Sequence, residues 1–246
     1  MRLHEIVRTR YQTLEVWKSD DEVEFRVAGA VHAWFHRERY LTGLAWDMIA
    51  ASALLGEKER PDSVLMLGLA GGTSFRTLRH LLPDCRLTAV DIDEEIVEVS
   101  RQHMGLDELG VEVEICDGYG WLEENRRKFD VVIDDIYLAG DLDVYRPKVP
   151  DEAVLGLYRK ALEPGGVLAV NLVLGPGHRT TQSRVRREMG RGFAELRSVR
   201  SPKAMNEVLV AGDKVATRRR LAGYTDRFSR YSDRECWEHL ALRRIS

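Results

Sequence analysis

SVLMLGLAGGTSFRTLRHLLPDCRLTAVD, residues 63–91, is the stretch whose reading decides the fold. Val64-Leu65-Met66-Leu67 is a continuous apolar run, which suits a parallel strand buried on both faces. It stops at Gly68. After Gly68-Leu69-Ala70-Gly71-Gly72 comes an amphipathic segment, Ser74 to Leu82, with Phe75, Leu78, Leu81 and Leu82 at helical spacing. The order is strand, glycine turn, helix. Glycines there permit positive φ and a close approach of ligand to backbone, and the free N–H groups of the new helix face whatever is bound. A second apolar run, Leu87 to Val90, ends in Asp91, about twenty positions further on, where nucleotide-binding βαβ units place a carboxylate on the ribose hydroxyls. A structural turn with no ligand remains the plain alternative. A nicotinamide dinucleotide is disfavoured, because Ala70 and Thr73 stand where G-x-G-x-x-G requires its second and last glycines.

The chain has 246 residues, 44% of them hydrophobic, enough for one α/β domain with an appendage. A formal charge of −3 predicts no strong attraction to nucleic acid or to an anionic membrane. Arg218-Arg219-Arg220 reads as a solvated helix face. Cys85, Cys116 and Cys236 are scattered, with no C-x-x-C pair, so neither a disulfide framework nor a zinc site is indicated, and no metal is expected. A reducing, cytoplasmic setting is expected. No apolar run has the length of a membrane span, and the first ten residues lack the apolar core of a signal peptide.

Upstream, Tyr11 to Trp17 and Val23 to Val27 read as a β-hairpin around the polar turn Lys18-Ser19-Asp20-Asp21. Arg39 to Leu55 reads as a helix, and the charged connector Gly56 to Asp62 as the boundary between an appendage, residues 1–60, and the main domain, residues 61–246. From Ser63 strands and helices alternate, which argues for a parallel sheet covered on both faces. Ala194 to Val199 and Glu207 to Ala211 are joined too closely for a parallel crossover, so a parallel sheet with one antiparallel edge strand is expected.

In such sheets the ligand sits beyond the carboxyl ends of the strands. Those ends carry Gly68 to Thr73, Asp91-Ile92, Cys116-Asp117-Gly118 and Asp134-Asp135. Together they suit an adenosine ligand, with Asp91 on the ribose and Asp117 accepting from the adenine amino group. Asp117 alone also has the plainer reading of a helix cap. Side chains alternate along a strand, so one of Asp134 and Asp135 is expected to face the crevice. Tyr137 and Tyr145, in the loop from Ile136 to Val149, are candidates to close over an acceptor or are ordinary loop aromatics. His32 and His36 default to packed or solvent-facing histidines.

VLMLGLAGGT, AVDIDEEIVEVS, CDGYGWL and FDVVIDD, in that order, resemble the cofactor half of the spermidine-synthase-like aminopropyltransferases, a branch of the class I methyltransferase fold. Tyr11 to Val16 and Val27 to His32 are similar to the family's upstream motifs YQ-x-I-x-V and LDG-x-x-Q. The resemblance implies a Rossmann-like fold, with Asp91 as the ribose-binding acid, Asp117 as the adenine-contacting acid and Asp135 as the catalytic aspartate. Gln12 matches a family glutamine near the cofactor and His32 replaces another. A small-molecule acceptor is implied, and a homodimer is admitted.

The departures point elsewhere. In the family's loop, G-G-G-D-G-G, the acid holds the amine of decarboxylated S-adenosylmethionine, and that position here is Gly71. The family's S-S-D-P after the catalytic aspartate is Ile136-Tyr137-Leu138-Ala139 here. A cofactor that keeps its carboxylate is tolerated by glycine at position 71. Intact S-adenosylmethionine and methyl transfer to a small-molecule amine or hydroxyl are therefore expected, with Asp135 as base or orienting group. Aminopropyl transfer from the decarboxylated cofactor and a non-catalytic nucleoside-binding module are the alternatives.

Overall fold

A computed structural model describes residues 1–140 and 144–245, so part of the loop expected from Ile136 to Val149 lies outside the described residues. The chain opens with an antiparallel sheet of β1 (Arg2–Arg8), β2 (Thr13–Lys18), β3 (Glu22–Val27) and β4 (Ala30–His36), paired in chain order. The expected hairpin is the β2–β3 pair, and the appendage is larger than a hairpin. β1 escapes a periodicity reading because it is an edge strand: Leu3 and Ile6 are exposed, so its apolar residues mark no buried face.

The main sheet contains β5 (Ser63–Leu67), β6 (Arg86–Asp91), β7 (Val111–Ile115) and β8 (Phe129–Asp134). A short hairpin, β9 (Leu138–Ala139) with β10 (Val144–Tyr145), stands apart from it. β11 (Leu162–Val173), β12 (Glu195–Arg200), β13 (Asn206–Gly212) and β14 (Ala241–Arg244) complete the sheet. Its spatial order is β14-β12-β13-β11-β8-β5-β6-β7. All five residues of β5 and all six of β8 are buried, as parallel strands covered on both faces require.

Alternation along the central strands sorts the core into two layers. Val64, Met66, Val131 and Ile133 pack against α1 (Ala45–Ser52) and α2 (Thr73–Leu81). Leu65, Leu67 and Val132 face the other way, towards α4 (Gly118–Glu124), α5 (Glu152–Ala161) and α6 (Arg179–Gly192). The N-terminal sheet packs on α3 (Glu94–Met104), with Leu14, Val16 and Phe25 against Ile96, Val99 and Met104. His103 ties the two together: Lys18 donates to its Nδ1 at 2.7 Å, which leaves Nε2–H to donate to Glu5 at 3.1 Å.

Three expectations change. The reversed strand is not at the edge: β13 runs antiparallel between β11 and β12, and β14 adds a second reversed strand outside β12. Two reversals make β12 parallel to β11, and the crossover through α6 leaves a strand-wide slot that β13 fills on its return.

The first helix begins at Ala45, not Arg39. Buried Asp47 accepts from the backbone N–H groups of Thr42 and Gly43, while Asp233, in α8 (Tyr231–Glu238), accepts from those of Tyr40 and Leu41. These bonds hold residues 40–43 out of helical geometry. α1 belongs to the main core, which supports a division between His36 and Ala45 instead of at residue 60.

Third, in α7 (Arg218–Ala222) Arg220 is not merely solvated. Its Nη1 donates to the carbonyls of Leu54, Gly56 and Lys58 beyond the end of α1. Among the described residues no helix is long and apolar enough to cross a membrane.

Asp134 anchors the strap that follows β8. Its side chain is fully buried, and it accepts from Arg146 Nη1 and Tyr158 Oη, each at 2.6 Å. Removing one member of a buried ion pair strands the other charge. Arg146→Ala is therefore expected to cost about 3–5 kcal/mol in chemical denaturation. A double Asp134→Leu, Arg146→Met variant should recover much of that loss.

Candidate active site

At the end of β5 the backbone turns sharply. Gly68 has φ +89°, and a Cβ there would stand 2.5 Å from the carbonyl oxygen of Asp135. Two hydrogen bonds fix this approach: Asp135 N–H donates to Leu67 O at 2.9 Å and Gly68 N–H to Val90 O at 2.8 Å. Only glycine fits. Positive φ recurs at Ala70 and Gly72, and the curl turns the N–H groups of Leu69 and Ala70 onto Asp91 Oδ2, at 2.7 and 3.2 Å. The loop is thus a nest of N–H groups filled by the protein's own carboxylate.

Asp91 Oδ1 accepts from Asp93 N–H at 3.0 Å. A carboxylate has about four acceptor sites, so with these bonds Asp91 keeps capacity for a ribose hydroxyl. Burial raises its pKa, opposed by the three backbone N–H bonds. Asp93 is the neighbour that sequence reasoning missed. It caps α3 through Ile96 N–H and accepts from Thr9 Oγ1 at 2.7 Å and Gln12 Nε2 at 3.2 Å, joining the N-terminal sheet to the strand ends. The sequence signal was present, since an aspartate before an apolar-periodic run is a helix cap.

A cavity of about 570 Å³ opens over these strand ends. Gln12, His32, Gly68, Ala70, Asp91, Ile92, Asp117, Gly118, Asp135 and Tyr137 all line it. Asp117 is exposed and does double duty. Its Oδ1 accepts from Gly120 N–H at 2.7 Å as the cap of α4, and its side chain also borders the cavity.

Asp135 faces the cavity while Asp134 turns into the core, as strand alternation requires. Asn171 Nδ2 donates to Asp135 Oδ1 at 2.7 Å, and Asn206 Nδ2 donates to Asn171 Oδ1 at 3.1 Å. Burial pushes the Asp135 carboxyl up to about 7, against the lowering effect of the Asn171 bond and the Arg146 charge. Asn171 and Asn206 were not singled out in the sequence, because an amide in a buried strand carries no pattern until its partner is known. Tyr137 braces the same corner: its hydroxyl donates to Asn171 O at 3.0 Å and accepts from Val173 N–H at 3.1 Å.

Three expected site residues lie elsewhere. Gly71 does not border the cavity: a Cβ there would collide with Ala33 Cβ and stand 2.8 Å from Met104 Cε, between the N-terminal sheet and α3. Gly72 starts α2, and its Cβ would meet Leu106 at 3.2 Å. Tyr145 is 50% exposed and outside the cavity wall. Tight packing under the loop requires glycine at position 71, and positive φ favours it at position 72.

Residues 45–172, just over half of the chain, match the spermine/spermidine synthase domain. The chain belongs to that family. It is 29% identical over 55% of its length to a probable polyamine aminopropyl transferase of Bifidobacterium longum, of which it covers 29%. It is 27% identical over 56% of its length to an eEF1A lysine and N-terminal methyltransferase of Danio rerio, of which it covers 21%. The spermidine synthase structure from Thermotoga maritima superposes with a TM-score of 0.72, covering 98% of this chain and 85% of that one at 16% identity. That likeness establishes the fold. The chain spans about half or less of the length of the curated relatives it matches.

As a spermidine-synthase-family chain, it lacks the loop acid, yet the packing around Gly71 means that position carries no information about the cofactor's carboxylate. Gly71→Asp is expected to lower the melting temperature, since overpacking alone costs about 1–3 kcal/mol, and to leave relative affinity for the two adenosyl cofactors unchanged in calorimetry. Asp91→Ala should do two things at once. Losing its charge-assisted bonds should cost about 2–3 kcal/mol of stability and weaken S-adenosylhomocysteine and 5′-methylthioadenosine alike.

Proposed function

We propose that the chain is a transferase that moves an aminopropyl group from decarboxylated S-adenosylmethionine to a small-molecule amine. The observation that carries the transferase reading is Asp135: a carboxyl held rigidly at the end of β8, facing the cavity, with a pKa near 7. The choice of donor rests on the family and on the names of its relatives. It replaces the expectation of methyl transfer, whose main support was Gly71, a residue that does not touch the cavity.

The residues present fit an adenosyl donor. Asp91 retains acceptor capacity for a ribose hydroxyl, Asp117 offers an oxygen not used in capping α4, and Gly68 and Ala70 give a wall without bulky side chains. When bound, the donor's sulfonium supplies an electrophilic carbon and leaves as a neutral thioether. The chain's own work is placement and proton transfer. Asp135, fixed by Asn171, orients the acceptor amine and takes its proton as the nitrogen lone pair forms the new C–N bond. A carboxyl with pKa near 7 takes that proton at neutral pH and releases it again.

A second reading, methyl transfer from intact S-adenosylmethionine, is favoured by one observation. Among the described residues no carboxylate beyond Asp135 lines the β11 and β13 side of the cavity. Incubation with each donor and mass detection of 5′-methylthioadenosine or S-adenosylhomocysteine separates the two. Product from intact S-adenosylmethionine alone rules out aminopropyl transfer.

In either reaction Asp135→Asn should lower turnover by about 10²–10⁴-fold, with adenosyl-ligand affinity nearly unchanged. The wild-type rate should rise as pH passes through about 7 and the base loses its proton. Stability runs the opposite way. The folded value of about 7 exceeds the ordinary 3.8, so this group's contribution is complete below about pH 4 and is lost as pH rises through 7. Thermal melts from pH 5 to 8.5 should show a smaller decline in the Asn variant.

A further inference from the structure

β8, which carries Asp135 beyond its end, divides the cavity. β5, β6 and β7 lie on one side of it and β11, β13 and β12 on the other. On the first side the wall includes the carboxylates of Asp91, Asp93 and Asp117. On the second side the wall is built from β11, the β12–β13 connection and the start of α1. It includes Leu44, Trp46 and Met205, the amides Asn171 and Asn206, and one charged side chain, Lys203. Among the described residues Lys203 is the one lysine or arginine of the lining, and no carboxylate lies within salt-bridge distance of it.

The stem of Lys203 is laid against the backbone just before Leu44: a Cβ on Gly43 would stand 2.8 Å from Lys203 Cδ. Gly43 is held in turn by Asp47, which accepts its N–H at 2.6 Å, and its carbonyl accepts from Ser201 Oγ. The lysine is exposed and borders the cavity, and its stem lies beside Cys236 where it passes Gly43.

An amine positioned at Asp135 and extending into this half passes apolar side chains and ends near an ammonium. A second ammonium on such an acceptor would meet a like charge. A carboxylate there would meet a complementary one.

We propose that the acceptor is an amine joined through an apolar body to a carboxylate, which Lys203 receives at the mouth of the cavity. The amine end rests on the transferase reading above. The charge at the far end rests on the cavity wall alone.

Three amines of matched length test this: 6-aminohexanoate, hexylamine and 1,6-diaminohexane. Their dissociation constants would be measured by calorimetry in saturating 5′-methylthioadenosine, and again without it, for wild type, Lys203→Glu and Lys203→Met. Wild type should bind 6-aminohexanoate about tenfold more tightly than the diamine, a preference that shrinks with added salt because the lysine is exposed. Lys203→Glu should reverse the order, and Lys203→Met should bring all three within about threefold, since it leaves no exposed charge there to tell them apart. Thermal melts check that both variants fold.

Tighter binding of the diamine by wild type, an unchanged order in folded Lys203→Glu, or no binding of any amine overturns the proposal. If the amines show the expected order but no adenosyl ligand binds, the transferase reading fails and the assignment of Lys203 stands. If adenosyl ligands bind and the diamine is preferred, the assignment of Lys203 fails alone.

Discussion

The contact between the backbone of Gly68 and the carbonyl of Asp135 is the constraint on which the site depends. Neighbouring parallel strands lie about 4.8 Å apart, and here the turn leaving one strand crosses the end of the next with no room for a side chain. This brings a loop of N–H groups and two cavity-lining acids, Asp91 and Asp135, into one corner of the sheet. Asp91 then fills the nest with its own carboxylate, so the loop's shape is established before any ligand arrives.

Adjacent carboxyls on β8 illustrate how a strand separates structure from chemistry. Asp134 is enclosed by Arg146 and Tyr158, so its charge is matched where water cannot reach it. Asp135, one residue on, has an amide as its direct partner and is left with a raised pKa. Both depend on the strap after β8, since Arg146 neutralises one acid and lies 4.7 Å from the ring of Tyr137, whose hydroxyl bonds the strand that carries Asn171. A fully paired acid holds Arg146 in place, and a partly paired one faces the cavity.

The N-terminal sheet contributes a roof as well as mass. Thr9 and Gln12 reach Asp93, and His103 is clamped between Lys18 and Glu5, so the sheet is joined to α3 at both of its ends. Its apolar face covers Gly71, which is why an acid at that position has no space. Family comparison by motif alone would read the loss of that acid as a change of cofactor. Packing supplies a reason that involves no ligand.

Local order was legible in the sequence wherever neighbours along the chain set it. The apolar run of β5, the turn at Gly68 and the period-two split of Asp134 from Asp135 all follow from residues a few positions apart, and the fold class with its row of strand-end acids follows from them. Tertiary structure decided what depends on distant partners. Asp233 delays the start of α1 from nearly two hundred positions away, and Asn171 reaches Asp135 across 36. The slot left by the α6 crossover places β13 inside the sheet instead of at its edge. Periodicity states which face of an element is buried. It does not state which element will meet that face, and so Gly71, Asn171 and Lys203 acquired their roles only when the layers were assembled.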